Sequence, residues 1–229
     1  MSDNLITIGI PSKGRLKQGS LDYFDSNGFK ITNSGSERNY FGMIEGKPFI
    51  KIIFLHAKEI IGRLGDNSLD LGISGLDLLL EAGTYIKNKI EIKKKLDFGK
   101  ANLVVAIPKD WIDVQTVADL EEICFSFTNK HNSRLRIATK YPNLSNEFLF
   151  SKGVTQFSLV DSLGATEAYP FTGSAELITD ISSTGETLKA NNLRVLKDGQ
   201  ILKSQACIFT SKKNLKKKGL KNLIKLLSK

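Results

Sequence analysis

The sequence predicts an α/β protein built as two similar halves, and three observations carry that expectation. Short β-rich apolar runs alternate with stretches of helical periodicity, the pattern of strands joined by crossover helices. The rhythm stops at Pro108 and then starts again. A last apolar run, Leu202 to Thr210, follows the second half. A chain of 229 residues has room for one large domain or two small ones. The final run divides it: domain I is expected over 1–100 and 201–229, domain II over 101–200, with the two crossing strands forming a hinge.

Taken in order, Leu5 to Ile10 reads as a buried strand and Pro11 to Gly14 as a turn. Leu16 to Asn27 reads as an amphipathic helix stopped by Gly28, a residue free to take the left-handed conformation that ends helices. Phe49 to Leu55 is a second strand, Ala57 to Leu64 a short helix and Leu69 to Ile73 a third strand, with Ser74-Gly75 turning into a helix over Leu76 to Glu81. This order predicts parallel β-α-β units. In the second half Ala101 to Ile107, Arg136 to Thr139, Thr155 to Val160 and Ala175 to Ile181 read as strands. Helices are expected over Ser145 to Lys152, from Gly164 onward, and over Glu186 to Ala190.

Composition excludes several classes. With 41% hydrophobic and 25% charged residues the chain is neither disordered nor a disulfide scaffold. No apolar run approaches the ~18 residues of a spanning helix, and Met1-Ser2-Asp3-Asn4 carries an acid where a signal peptide carries positive charge, so a soluble cytoplasmic protein is expected. Cys124 and Cys207 stand outside any metal-binding spacing and read as buried, reduced thiols. The net charge of +9 is local: eight lysines and no acid lie between Lys212 and Lys229, leaving 25 cations against 24 acids elsewhere. Leu215, Leu220, Leu223, Ile224 and Leu227 follow helical spacing through that tail, which predicts a docked helix with a solvated lysine face and no nucleic-acid or membrane contact.

The chemistry concentrates at strand ends. Thr179-Asp180-Ile181-Ser182-Ser183-Thr184-Gly185-Glu186-Thr187 joins a strand to a helix through small hydroxyl residues and a glycine, which gathers N–H donors, hydroxyls and the positive helix end on one point. Such a turn suits a phosphate, and Asp180 beside it suits sugar hydroxyls or Mg²⁺. Pro11-Ser12-Lys13-Gly14-Arg15 sets two cations at the mouth of a parallel sheet, where such folds bind ligands. Gly14-x₄-Gly19-Ser20 lacks the lysine of a P-loop, so an NTPase is excluded. Leu69 to Asp77 forms a third glycine-bearing turn. His56 and His131 lie outside any hydrolase triad.

Six ordered motifs resemble the ATP phosphoribosyltransferase family. They are Ile10-Pro11-Ser12-Lys13-Gly14-Arg15-Leu16, Asp70 to Asp77, Leu96-Asp97-Phe98-Gly99, Arg136-Ile137-Ala138-Thr139-Lys140-Tyr141, Gly164-Ala165-Thr166-Glu167, and Asp180 to Leu188. The likeness covers nearly the whole chain and is to the short form, without a C-terminal regulatory domain. It implies two α/β domains of the type II periplasmic-binding-protein-like fold. It also implies the first step of histidine biosynthesis: transfer of phosphoribosyl from phosphoribosyl diphosphate to N1 of ATP, with Mg²⁺ on the diphosphate. By the same resemblance, Ser182, Ser183, Thr184, Gly185, Glu186 and Thr187 hold the 5-phosphate, with Asp180 and Glu167 on the ribose side. Lys13 and Arg15 meet the pyrophosphate, Arg38 the nucleotide phosphates, and Ser74, Gly75 and Asp77 the ATP.

The family commonly has an arginine where this chain reads His56-Ala57-Lys58-Glu59. His56 and Lys58 are therefore candidate replacements, with Arg63 as a further source of charge. The implied partner is a regulatory subunit resembling histidyl-tRNA synthetase, with a homodimer as the form of the chain alone. Two rivals remain at this stage. One is a non-catalytic ligand-binding or sensor module on the same fold. The other is a nucleobase phosphoribosyltransferase, which shares the T-G-x-T loop but usually sets two adjacent acids before it, where this chain has Thr179-Asp180.

Overall fold

The computed structural model describes residues 5–33 and 40–228. In chain order the elements are β1 (Ile6–Pro11), α1 (Gly14–Ser26), β2 (Ile31–Asn33), β3 (Phe41–Ile44), β4 (Lys47–Leu55), α2 (Ala57–Gly65), β5 (Leu71–Gly75), α3 (Leu76–Glu81), α4 (Gly83–Lys87) and β6 (Ile90–Lys95). There follow β7 (Ala101–Pro108), α5 (Val117–His131), β8 (Leu135–Thr139), α6 (Pro142–Ser151), β9 (Phe157–Asp161), β10 (Leu177–Ser182), α7 (Glu186–Ala190), β11 (Leu193–Ser204), β12 (Ala206–Ser211) and α8 (Leu220–Leu227). They divide into two compact units, Met1–Lys100 with Gln205–Lys229, and Ala101–Ser204. Among the described residues no helix is long and apolar enough to cross a membrane.

The first unit is a seven-stranded mixed sheet in the order β2-β3-β4-β1-β5-β12-β6. Its three central strands β4, β1 and β5 are mutually parallel. Strand alternation loads both faces. Ile6, Ile8 and Ile10 of β1 point to one side, where Phe24 of α1 and Leu220, Leu223, Ile224 and Leu227 of α8 pack on them. On the other side Gly9 and Gly72 are register partners, and they give α2 its seat. A methyl group on Gly72 would stand 2.5 Å from Ile60, and one on Gly9 2.7 Å from Leu69, so only bare backbone lets this helix close on the sheet.

The second unit is a five-stranded sheet, β11-β7-β10-β8-β9, in which β10, β8 and β9 are parallel and β7 runs against them. Its second strand β7, between β11 and β10, sends Val105 and Ile107 to one core and Val104 and Ala106 to the other. Helix α5 lies on the first of these through Val117, Leu120 and Cys124. Sequence reasoning passed over α5 although its signal is present: Thr116 and Asp119 form a reciprocal capping box. The Asp119 carboxylate accepts the Thr116 and Gln115 N–H groups at 2.7 and 2.8 Å, and these bonds hold its carboxyl below the usual range.

Two expectations are corrected. The helix from Gly164 is only a 3-10 turn, Thr166–Phe171, because Pro170 inside it supplies no N–H. The strand from Leu202 to Thr210 is two strands, broken at Gln205: β11 pairs with β7 in one sheet, while β12 lies between β5 and β6 in the other. The expected parallel β-α-β units are present in β4, β1 and β5, and β12 joins them antiparallel to both its neighbours.

The tail docks as expected, burying Leu220, Leu223, Ile224 and Leu227 on the sheet, with one addition. It forms a 3-10 turn, Lys213–Lys216, then α8 after the left-handed Gly219, and one of its lysines points inward. Lys217 Nζ reaches the Asp70 carboxylate and the Leu5 carbonyl, both at 2.9 Å. Asp70 is 1% exposed, accepts the Thr7 N–H at 2.8 Å, and keeps its other oxygen without a hydrogen-bond partner among the described residues. Lys217 is the cation that compensates that buried charge. Removing one partner of a fully dry pair costs about 3–5 kcal/mol. The 31% exposure of Lys217 lowers the expectation to about 2 kcal/mol. Lys217→Met should therefore lower the melting temperature by roughly 5 °C, while Lys218→Gln on the exposed side should leave it within about 1 °C. Equal effects of the two in a thermal melt would show that the tail docks through its leucines alone.

Candidate active site

In each unit the predicted site residues gather at the carboxyl ends of parallel strands, the position where open α/β sheets take ligands. In the first unit β1 and β4 end level, Pro11 opposite Leu55, and the Ser12 N–H closes on the Leu55 carbonyl at 2.8 Å. That register brings the β1–α1 turn beside the start of α2. Gly14 has φ +71°, so the chain can turn sharply into α1 with Lys13 and Arg15 exposed on either side of it. His56 caps α2: its Nδ1 accepts the Lys58 N–H at 3.3 Å, which leaves Nε2 at the surface as the proton-bearing nitrogen. Lys58 is exposed in the first turn of α2. Arg63 is held by Glu59 at 2.7 Å in the last turn of α2, away from this end, so it does not supply the charge of the missing arginine.

At the end of β5, Ser74, Gly75 and Asp77 are all buried. Ser74 donates its hydroxyl to the Ala57 carbonyl at 2.8 Å, tying β5 to α2. The Asp77 carboxylate folds over Gly75, where a methyl group would meet it at 2.3 Å, so glycine is required there. These three residues shape the turn rather than project from it. Arg38 lies outside the described residues.

In the second unit Thr139 of β8 pairs with Thr179 of β10; β8 ends there while β10 runs on to Ser182, so Lys140 leaves β8 beside Asp180 of β10. Asp180 is half-buried. Burial pushes its carboxyl above the usual carboxylate range. The Ile181 N–H at 2.8 Å, the Lys140 ammonium and the Thr166 hydroxyl pull it back, while the Glu167 carboxylate opposes them. Lys140 and Thr166 are site residues that sequence reasoning missed as such. Each stood inside a motif, but only the strand register brings them to Asp180.

Beyond Ser182 the chain enters α7 through Gly185 at φ +78°, a conformation that L side chains rarely adopt. An ideal Cβ there meets nothing within 4 Å, so the turn faces open space. The Ser182 hydroxyl accepts the Gly185 N–H at 3.1 Å and the Thr184 hydroxyl accepts the Glu186 N–H at 3.4 Å. A hydroxyl that accepts from the backbone keeps its own proton to give. The turn therefore presents O–H donors to whatever occupies that space. Ser183, Thr184, Glu186 and Thr187 are exposed on it.

Two α/β units with ligand-type turns at their strand ends define a class, and solved structures share it. The substrate-binding protein of an amino acid ABC transporter matches with a TM-score of 0.56 at 14% identity, covering 98% of this chain and 90% of that one. The arginine-bound ArgBP of Thermotoga maritima matches at 0.52 and 14%, covering 99% and 94%. These likenesses establish the type II periplasmic-binding-protein-like fold. A nearer structure, the ATP phosphoribosyl transferase (HisG:HisZ) complex of Thermotoga maritima, matches with a TM-score of 0.73 at 25% identity over 97% of this chain and 96% of that one.

The sequence comparisons are narrower. A family model described as ATP phosphoribosyltransferase matches residues 56–229. ATP phosphoribosyltransferases of Mesorhizobium japonicum and Brucella melitensis are 47% and 45% identical over 210 residues, 91% of this chain and 90% and 91% of those proteins. The chain belongs to the ATP phosphoribosyltransferase family and is a transferase.

A raised Asp180 has a measurable sign. Between the ordinary aspartate value, ~3.9, and its higher folded value, the folded state binds more protons than the unfolded one. Stability therefore falls as pH rises through that window, and the penalty is complete at neutral pH. Asp180→Asn should melt higher than wild type at pH 7, and the difference should shrink as pH falls through that window and vanish only well below the ordinary aspartate value. A variant that melts lower at both pH values would show that the carboxylate stabilises the fold.

Proposed function

We propose that this chain transfers phosphoribosyl from phosphoribosyl diphosphate to N1 of ATP, giving phosphoribosyl-ATP and pyrophosphate, the first step of histidine biosynthesis. The observation that carries the residue-level reading is the turn from Ser182 to Thr187, open at Gly185 and lined with hydroxyls that still have protons to give. It takes the 5-phosphate by backbone N–H and O–H donation. Asp180 and Glu167 face the ribose, and Lys140 limits the charge they accumulate.

In the reaction the bond between the anomeric carbon and the diphosphate oxygen breaks, its electron pair leaves with pyrophosphate, and the N1 lone pair forms the new bond. N1 carries no proton to remove, so no general base is needed. Positioning and stabilisation of the departing negative charge supply the rate. Lys13 and Arg15 are assigned to that charge. Arg38 and Lys58, the latter in place of the family arginine, are assigned to the ATP phosphates. His56 sets the orientation of Lys58 through its cap. Ser74, Gly75 and Asp77 are assigned to ATP through the form of their turn.

Among the described residues no three His, Cys, Asp or Glu side chains form a metal cage. Mg²⁺ is assigned to the diphosphate, since that ion keeps its waters and needs only one or two carboxylates from the protein. Asp180 and Glu167 are the residues that would hold it, where it would neutralise diphosphate charge. A regulatory partner is assigned by likeness to the HisG:HisZ complex.

Calorimetry tests the assignment. Gly185→Val should nearly abolish phosphoribosyl diphosphate binding, because a β-branched residue is strained at φ +78° and fills the open space. Thr187→Ala should weaken it by roughly ten- to a hundredfold, the loss of one hydroxyl to a charged acceptor. ATP binding should change by less than about threefold. Normal binding by both variants would reduce residues 182–187 to a plain helix start. Histidine titrated into the isolated chain should bind weakly, and a tight site would place regulation in this chain rather than in a partner.

A further inference from the structure

At the end of β8, where it pairs with β10, lies a group of polar side chains to which the reading above gives no role. Thr139 of β8, Thr179 of β10 and Ser145 of α6 are fully buried, and their hydroxyls touch in a closed triangle. Thr179 donates to Thr139 at 2.6 Å; Ser145 and Thr179 are 2.6 Å apart, and Thr139 and Ser145 3.2 Å. The direction of the other two bonds follows by counting protons. Thr179 has spent its only proton on Thr139, so Ser145 donates to Thr179. Ser145 has then spent its own, so Thr139 donates to Ser145. Each hydroxyl gives once and receives once around the ring, an arrangement in which every bond polarises the next.

The ring also reaches outward. Thr139 accepts the Tyr141 N–H at 2.9 Å, which fills its second lone pair and fixes the backbone on the far side of Lys140. The Thr139 carbonyl accepts the Ser162 N–H at 3.0 Å, and the Ser162 hydroxyl lies 2.8 Å from that of Thr166, which bonds Asp180. Lys140 and Asp180 each follow a ring threonine in sequence, and those two threonines are register partners. Three separate elements, two strands and a helix, are thus joined one residue before the charged pair.

We propose that the Thr139–Ser145–Thr179 hydroxyl ring is the positioning device of the phosphoribosyl diphosphate end of the site, fixing Lys140 beside Asp180 and aiming the chain into the Ser182–Thr187 turn. None of the three touches substrate. Apolar side chains of the same volume would fill the space as well, so hydroxyls there serve direction rather than packing: van der Waals contact tolerates small rotations of a strand end, and a closed hydrogen-bond ring does not. The proposal rests on reading that turn as the phosphoribosyl diphosphate site.

The test compares Thr179→Val, which keeps volume and removes the hydroxyl, with Thr179→Ser, which keeps the hydroxyl, and with Ser145→Ala, which deletes one oxygen and keeps the variant set usable should valine prevent folding. Dissociation constants for phosphoribosyl diphosphate and for ATP are measured by calorimetry, and melting temperatures alongside. Valine and alanine should weaken phosphoribosyl diphosphate by roughly tenfold, leave ATP within about twofold, and serine should restore wild-type affinity. Wild-type affinity in Thr179→Val and Ser145→Ala, with Thr187→Ala still weakened, would overturn the ring's role and leave the site reading intact. Thr179→Ser as weak as valine would also overturn it, because volume and not the hydroxyl would then matter. Wild-type affinity in Thr187→Ala as well would remove the site reading beneath it.

Discussion

Everything proposed for this protein depends on the register of its parallel strands. A strand shifted by one residue turns each side chain to the opposite face. Were β10 to slip against β8, Asp180 would exchange places with Thr179, and a carboxylate would enter the buried hydroxyl ring. The same holds in the first unit, where Pro11 opposite Leu55 sets the Lys13 turn beside the His56 cap. Register there is specified by burial. Ile6, Ile8 and Ile10 fill one face, and Gly9 with Gly72 admits Ile60 on the other, so no shifted pairing satisfies both.

The charges divide into two kinds that do opposite things. Asp70 is buried and matched by Lys217 from the far end of the sequence, and this pair fastens the tail to the sheet. Asp180 is kept above its ordinary range by burial and Glu167, with Lys140 only partly offsetting them. A carboxylate held at such a disadvantage, one strand-end away from a turn that opens to solvent, fits the ribose-side role proposed for it. The basic character of the whole chain lies in the tail that Lys217 fastens, and it carries no information about the substrate.

The strands and helices that bear the turns were legible because local signals were strong. Alternating isoleucines marked β1, Gly28 marked the end of α1, and Glu186–Ala190 was placed with the bounds the structure shows. The phosphate-type turn was legible for a similar reason, since hydroxyls and a glycine at a helix start act over a few residues. What could not be read depends on partners distant in sequence. Lys217 looks like the other lysines of the tail until Asp70, 147 residues away, is placed against it. Lys140, Thr166 and Ser145 acquire meaning only through the β8–β10 register. Helix α5 was a failure of a different kind, because Thr116 and Asp119 announced it locally and the apolar spacing behind them was overlooked.

Chemistry on the whole chain is the most direct test of the central claim. Purified protein is mixed with ATP, phosphoribosyl diphosphate and Mg²⁺, and the ultraviolet absorbance of phosphoribosyl-ATP is followed, with adenine replacing ATP in a parallel reaction. The account predicts growth of that absorbance with ATP and none with adenine. Turnover of adenine, or binding of both substrates with no product, would contradict it.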